Sequence, residues 1–161
     1  MILRALLSLA LSLLLWLNGL VDSLSRPSVG DALNRRQLEL AVLDAPLTVE
    51  NFVALARKGF YNGLKFHRVE DWVVQGGDPS GNGTGGGQMP SEFNKLEFKV
   101  GAVGIARGQD PRINNDAQFF IVKRDSPHLN GQYTNFGQVT VGLDLVVKIA
   151  IGDKIKKITV K

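Results

Sequence analysis

Few residues in this chain can do covalent chemistry. Its 161 residues contain no cysteine and only two histidines. That excludes a Cys nucleophile, a thiolate zinc site and a disulfide framework, and leaves little room for a His-rich metal site. Asp125, Ser126 and His128 lie together and offer the residue types of a hydrolase. Near-adjacent residues do not easily take triad geometry, and there is no Gly-x-Ser-x-Gly elbow. His128 reads as a loop residue after Pro127, and His67 as a structural neighbour of Arg68. Gly81-x-Gly83-x-x-Gly86 matches a dinucleotide fingerprint, but Gly87-Gln88-Met89-Pro90 follows where a helix must begin. No Gly-Lys-Ser/Thr makes it a phosphate loop. Asp78-x-Ser80-x-Asn82-Gly83 imitates the first half of a calcium loop, yet its twelfth position is Met89, which has no carboxylate. These glycines read as a tightly turned surface loop. Asn82-Gly83-Thr84 is a glycosylation sequon, of consequence only in a host that glycosylates.

The elements that must position any site are short. Glycine is abundant, 18 of 161 residues. Helix interiors tolerate glycine poorly, so the composition leans toward a turn-rich β fold. Alternating or apolar runs predict strands at Gln37–Leu43, Leu64–Val69, Trp72–Gln75, Gly101–Ala106, Gln118–Lys123, Asn135–Val139 and Lys154–Val160. A tight turn at Glu70-Asp71 joins two of them, and Gly76–Gly87 is a long glycine loop. One helix is expected to open at Thr48 as N-cap, bury Phe52, Val53, Leu55 and Ala56, and end at Gly59. A second, Leu143–Ala150, turns Val146, Val147 and Ala150 inward. Strands do not alternate with helices, so a doubly wound sheet is not expected. The expected architecture is mainly β, a closed antiparallel barrel with two helical caps.

The N-terminus differs in kind. Arg4 precedes an apolar and serine run from Ala5 to Leu17, 13 residues that span about 20 Å as a helix, short of the roughly 30 Å hydrocarbon core. A charged start, a short apolar run and the small-x-small site Ser23-Leu24-Ser25 describe a secretory signal. The rival reading is an uncleaved anchor extended by Leu20 and Val21. Residues 1–25 are therefore expected to be signal peptide or N-terminal anchor, 26–35 a linker, and 36–161 the folded domain. Export to a periplasmic or extracellular compartment follows, and a cysteine-free chain suits it. A net charge of +4, from 19 cations and 15 anions, falls well short of a nucleic-acid footprint. A monomer is the default state.

Two segments, taken together, carry a specific resemblance. The first is Phe66-His67-Arg68-Val69, then Trp72-Val73-Val74-Gln75-Gly76-Gly77-Asp78-Pro79 and Gly83-Thr84-Gly85-Gly86. The second is Gly104-Ile105-Ala106-Arg107, then Asp116-Ala117-Gln118-Phe119-Phe120-Ile121, His128-Leu129-Asn130-Gly131-Gln132-Tyr133 and Phe136-Gly137. With the helix segment Ala45–Phe52, they make residues 36–160 resemble a cyclophilin, a peptidyl-prolyl cis-trans isomerase. The resemblance implies an eight-stranded antiparallel barrel capped by two helices. It also implies an activity, rotation about X–Pro bonds in polypeptides, whose barrier is about 18–20 kcal/mol. No cofactor or metal is needed. In the twisted transition state the amide lone pair localises on the proline nitrogen, and a cation placed against it stabilises the twisted form more than the planar one.

By that resemblance Arg68 is the catalytic residue; read alone it is a strand arginine on a solvated face. Val73, Phe120 and Leu129 match the proline pocket, and Trp72 stands where the family has an aromatic. Gln75 matches the glutamine that holds a substrate carbonyl. Ala106 and Arg107 match the segment that binds the residue before proline, with Gln118 close by. Phe119 and Phe120, neighbours in a strand, must point opposite ways, one into the core and one into the pocket. The chain also departs from the best-known pattern. The turn between Arg68 and Gln75 is one residue shorter, Val73 replaces methionine and Arg107 replaces asparagine. Tyr133 replaces a pocket-wall histidine. His128 replaces the tryptophan used for cyclosporin, so weak or no cyclosporin binding is expected. Proline-containing polypeptides are the implied partners, and assistance to the folding of exported proteins the implied role. Two rival classes are a non-enzymatic peptide-binding module on the same barrel and a lipocalin-type ligand barrel. The second needs interior room, whereas Phe52, Ile105 and Phe119 read as packing.

Overall fold

The computed structural model describes residues 37–160. The predicted signal or anchor and the linker lie outside these residues. Seven strands are formed: β1 (Gln37–Leu40), β2 (Arg68–Val69), β3 (Val73–Gly76), β4 (Gln88–Pro90), β5 (Ala102–Arg107), β6 (Ile113–Val122) and β7 (Asn135–Val141). They make one antiparallel sheet in the order β1-β7-β5-β6-β3-β2, with β4 paired to β6 off that path. Helix α1 (Pro46–Arg57), helix α2 (Leu143–Val146) and a 3-10 turn (Pro127–Leu129) complete it.

Among the described residues the sheet does not close, and the strands number seven rather than eight. The predicted strand Leu64–Val69 contracts to β2, and Lys154–Val160 forms no strand. The two segments meet in a single bridge, Lys65 opposite Lys154. The hydrogen bonds Gly63 N–H to Ile155 O (2.7 Å), Ile155 N–H to Leu64 O (2.9 Å) and Phe66 N–H to Asp153 O (2.8 Å) flank it. The physical reason lies in the C-terminal run. Ile155 and Ile158 are three apart, and Lys156-Lys157 interrupts the period of two that a half-buried strand requires. Strand β4 is only three residues long, with Met89 half-buried between exposed Gln88 and Pro90. It ends in Pro90, which donates nothing to a ladder and suits its position off the main path.

Helix α1 starts earlier than predicted. Ala45 is the N-cap and Pro46 the first helical residue, a position where a missing N–H costs nothing. Thr48 lies inside the first turn, and its predicted capping role falls instead to Glu92. That carboxylate accepts from Leu47 N–H (3.0 Å) and Thr48 N–H (2.7 Å). The C-terminus is as expected. Gly59 takes φ 71°, Gly59 N–H bonds Ala56 O, and Phe60 N–H bonds Leu55 O, a Schellman closure. Helix α2 is shorter than predicted: Val146 is buried, whereas Val147 and Ala150 are exposed.

The sheet has two apolar faces because its central strands carry apolar side chains at consecutive positions. On one face α1 lays Val49, Phe52, Val53 and Ala56 against Val74, Val103, Ile105, Phe119 and Phe136. Phe52 meets the rings of Tyr61, Phe119 and Phe136 at 5.1, 5.6 and 5.1 Å. That interior is filled, as Phe52, Ile105 and Phe119 were expected to make it. The other face carries a separate cluster of Val73, Phe98, Ala102, Phe120, Val122 and Leu129, with Trp72 and Tyr133 at its edge.

Candidate active site

Strand register brings the site together. Arg68 of β2 is opposite Gln75 of β3, Gln75 is opposite Phe120 of β6, and Phe120 is opposite Gly104 of β5. Cross-strand neighbours share a face, so these four residues form one row on the sheet face opposite α1. The row ends in an open cleft enclosing about 380 Å³, including the solvent at its mouth. Arg68, Trp72, Val73, Gln75, Ala106, Arg107, Phe120, Leu129 and Tyr133 line it.

Its floor is aromatic and aliphatic. Phe120 stacks on Phe98 at 5.6 Å and meets the edge of Tyr133 at 5.7 Å. Val73 and Leu129 complete the floor, both buried. Phe119 points to the helix-covered face and Phe120 into the cleft, the division the alternation requires. Phe120 lies flat over Gly104: a Cβ at that glycine would fall 2.3 Å from Phe120 Cζ.

Around this floor runs a chain of polar contacts. Arg68 donates through Nη1 to Gln75 Oε1 (3.3 Å), and Gln75 Nε2 donates to Gln118 Oε1 (3.0 Å). Gln118 Nε2 donates in turn to the carbonyls of Gly83 (3.1 Å) and Gly85 (2.8 Å). Gln118 is thus buried behind the cleft, supporting Gln75, and is not a lining residue. The glycine loop to which it is tied is organised by Asp78, a buried carboxylate that accepts N–H from Ser80, Asn82, Gly83 and Gly85. Burial pushes the Asp78 carboxyl up, but the four backbone donors together hold it below the ordinary carboxylate range. The resemblance to a calcium loop therefore has a structural explanation: backbone N–H groups occupy the oxygens a metal would need. Among the described residues no cluster of His, Cys, Asp or Glu is arranged to hold a metal ion.

Arg107 stands at the other end of the cleft. Its Cζ lies 4.4 Å from the Tyr133 ring centroid, and it donates to Gln132 O (3.1 Å) and Gly108 O (3.0 Å). The long side chain is thereby held against the wall. His128 is exposed on the 3-10 turn, edge-on to Trp72 at 5.4 Å, outside the cleft lining. His67 has its imidazole against the glycine loop near Gly83. Burial pushes that ring's pKa below its usual value.

Sequence reasoning passed over three residues here. Glu70, read only as a turn residue, accepts from Arg68 Nε (2.7 Å) and from Trp72 Nε1 (2.9 Å). The hydrogen bond from Arg68 holds the Glu70 carboxyl below its ordinary range. Phe98, which no motif singled out, is the ring beneath Phe120. Gly104 was part of a quoted motif without a role.

A family model described as cyclophilin type peptidyl-prolyl cis-trans isomerase matches residues 29–161. Peptidyl-prolyl cis-trans isomerase B of Bacillus subtilis is 43% identical over 134 residues, 80% of this chain and 92% of that protein. A peptidyl-prolyl cis-trans isomerase of Helicobacter pylori is 44% identical over 128 residues, 75% of this chain and 77% of its own. Among solved structures, a cyclophilin type isomerase of Cryptosporidium parvum is similar with a TM-score of 0.72 at 30% identity, over 80% of this chain and 92% of that one. A second structure of that protein, determined in the presence of the dipeptide Ala-Pro, gives a TM-score of 0.67 at 28% identity, over 78% and 89% of the two chains. Matched by its model along all of the described fold, the chain belongs to the cyclophilin-type peptidyl-prolyl cis-trans isomerases.

Proposed function

We propose that the cleft receives X–Pro segments of polypeptides, and that Arg68 is the residue that stabilises the twisted peptide bond. The single row of Arg68, Gln75 and Phe120 carries this reading. It sets a guanidinium beside an apolar socket, so that a proline ring on Phe120 has its nitrogen turned toward Arg68. The solved relative studied with Ala-Pro supports a proline-containing ligand.

The chemistry follows from charge. A planar amide spreads the nitrogen lone pair into the carbonyl; rotation returns it to nitrogen. A donor aimed at that nitrogen gains strength only as the bond twists, which is differential binding of the transition state. Val73, Leu129 and Phe120 exclude water from one side of the ring, which strengthens the interaction. Gln75, turned by Gln118, holds a substrate carbonyl. Arg107 and Ala106 border the position before proline. The apolar N-terminal run Ala5–Leu17 supports an exported enzyme that assists the folding of exported polypeptides.

The test is exchange of a tetrapeptide containing Ala-Pro, followed by NMR, with the wild type beside Arg68→Ala and circular dichroism to check folding. A loss of about 10²-fold in kcat/KM, ~2.7 kcal/mol, is expected. Wild-type exchange rates in a folded Arg68→Ala protein remove the arginine from the mechanism. Absence of catalysis in the folded wild type leaves a peptide-binding module.

A further inference from the structure

The short turn between β2 and β3 places a carboxylate where it grips the proposed catalytic arginine. Arg68 lies on a two-residue strand at the end of the sheet order, with 43% of its side chain exposed. A side chain of that length has many rotamers, and nothing in the backbone of so short a strand restrains it. Two contacts do. Glu70 Oε1 takes the Nε–H at 2.7 Å, and Gln75 Oε1 takes an Nη1 proton at 3.3 Å. Two acceptors at different nitrogens of a planar fork fix both the position and the plane of the guanidinium. Among the described residues no acceptor bonds Nη2, which stays available to a ligand. The second oxygen of Glu70 takes the indole N–H of Trp72 at 2.9 Å, and Arg68 Cζ lies 5.5 Å from the Trp72 ring centroid. One carboxylate thus closes a triangle of glutamate, arginine and tryptophan at the cleft rim. An exposed ion pair contributes little to stability, so the effect of this one is geometric.

We propose that Glu70 is a positioning residue for isomerisation, its carboxylate orienting Arg68 and drawing Trp72 to the same rim. The inference rests on the role given to Arg68 above. It makes a specific statement about the shortened turn. The turn's acidic residue is part of the machinery by way of Arg68, without touching the substrate.

The experiment compares kcat and KM of the full chain on the Ala-Pro peptide for wild type, Glu70→Ala, Glu70→Gln, Arg68→Ala and the double variant. Glu70→Ala is expected to lower kcat about 5- to 10-fold with KM within about twofold, since the fault is orientation. Glu70→Gln retains one acceptor oxygen and recovers part of the loss. In the Arg68→Ala background, Glu70→Ala changes nothing further, a non-additivity that a merely structural residue does not produce. The Trp72 indole N–H resonance, assigned with Trp72→Phe, moves in both Glu70 variants. An unchanged or raised kcat in Glu70→Ala, alongside a strong loss in Arg68→Ala, overturns the inference and leaves Arg68 in place. An equal loss in both backgrounds also overturns it. Full activity in Arg68→Ala overturns the earlier reading and this one with it.

Discussion

At Gly104 the missing side chain makes room for a ring. The Phe120 ring occupies the space a Cβ needs, 2.3 Å from where it would be built. Gly104→Ala is therefore expected to displace the ring, raise KM for the Ala-Pro peptide several-fold and cost about 1–3 kcal/mol from overpacking. Thermal unfolding and steady-state kinetics on one preparation check both; an unchanged KM shows that the ring's position does not matter. Residues of this kind separate what the sequence reveals from what it hides. The opposite directions of Phe119 and Phe120 follow from strand alternation. The lining roles of Arg68, Gln75 and Tyr133 came from motif resemblance. Gly104 under Phe120, and Phe98 behind it, depend on which strand lies beside which, and cross-strand register is not written in any local window. Glu70 was visible as a carboxylate two residues from Arg68 and from Trp72. That spacing on a tight turn is the signal that was there to be read.

Individual elements are held by single carboxylates, one distant and one local. Glu92 caps α1 from 44 and 45 residues away, and Asp78 gathers four N–H groups of the glycine loop. A distant cap explains why the helix start was misassigned to Thr48: local capping rules assume that the acceptor comes from a sequence neighbour. Asp78 has the clearer consequence. Its folded pKa is depressed, so its stabilisation is fully present above the unfolded value near about 4 and is lost as pH falls through the folded value. Asp78→Asn is expected to cost about 2 kcal/mol at pH 7 and to flatten the decline of stability in acid. Urea denaturation at a series of pH values measures this. An identical acid decline in the variant assigns that decline to other groups. The loop also supplies the acceptors of Gln118, so isomerase activity is expected to fall with loop order.

For the whole molecule, the open seam and the central strand pull in different directions. Four backbone bonds and one bridge join residues 63–66 to 152–155, where a ladder was expected. Seam amides at Gly63 and Ile155 are expected to exchange hydrogen by local opening, orders of magnitude faster than Phe119 and Ile121 in β6, which require global unfolding. Equal protection shows a molecule that behaves as if closed. The barrel expectation was right about a mainly antiparallel β fold with two helices and wrong about closure and strand number, because Lys156-Lys157 breaks an alternation that a looser reading of the C-terminus accepts. Strand β6 is the opposite case. Its run Phe119-Phe120-Ile121-Val122 is apolar on both faces, so nothing within it distinguishes the native pairing from one displaced by a residue. The ends of the run make the distinction. A slip one way drives the Gln118 amide among Phe52 and Tyr61; a slip the other way drives Lys123 into the slot of Val122. The polar residues that bound the run therefore set its register. A misaligned sheet is expected to be penalised at one end of the run or the other, and a change at Lys123 to an apolar residue removes one of the two safeguards without touching the finished site.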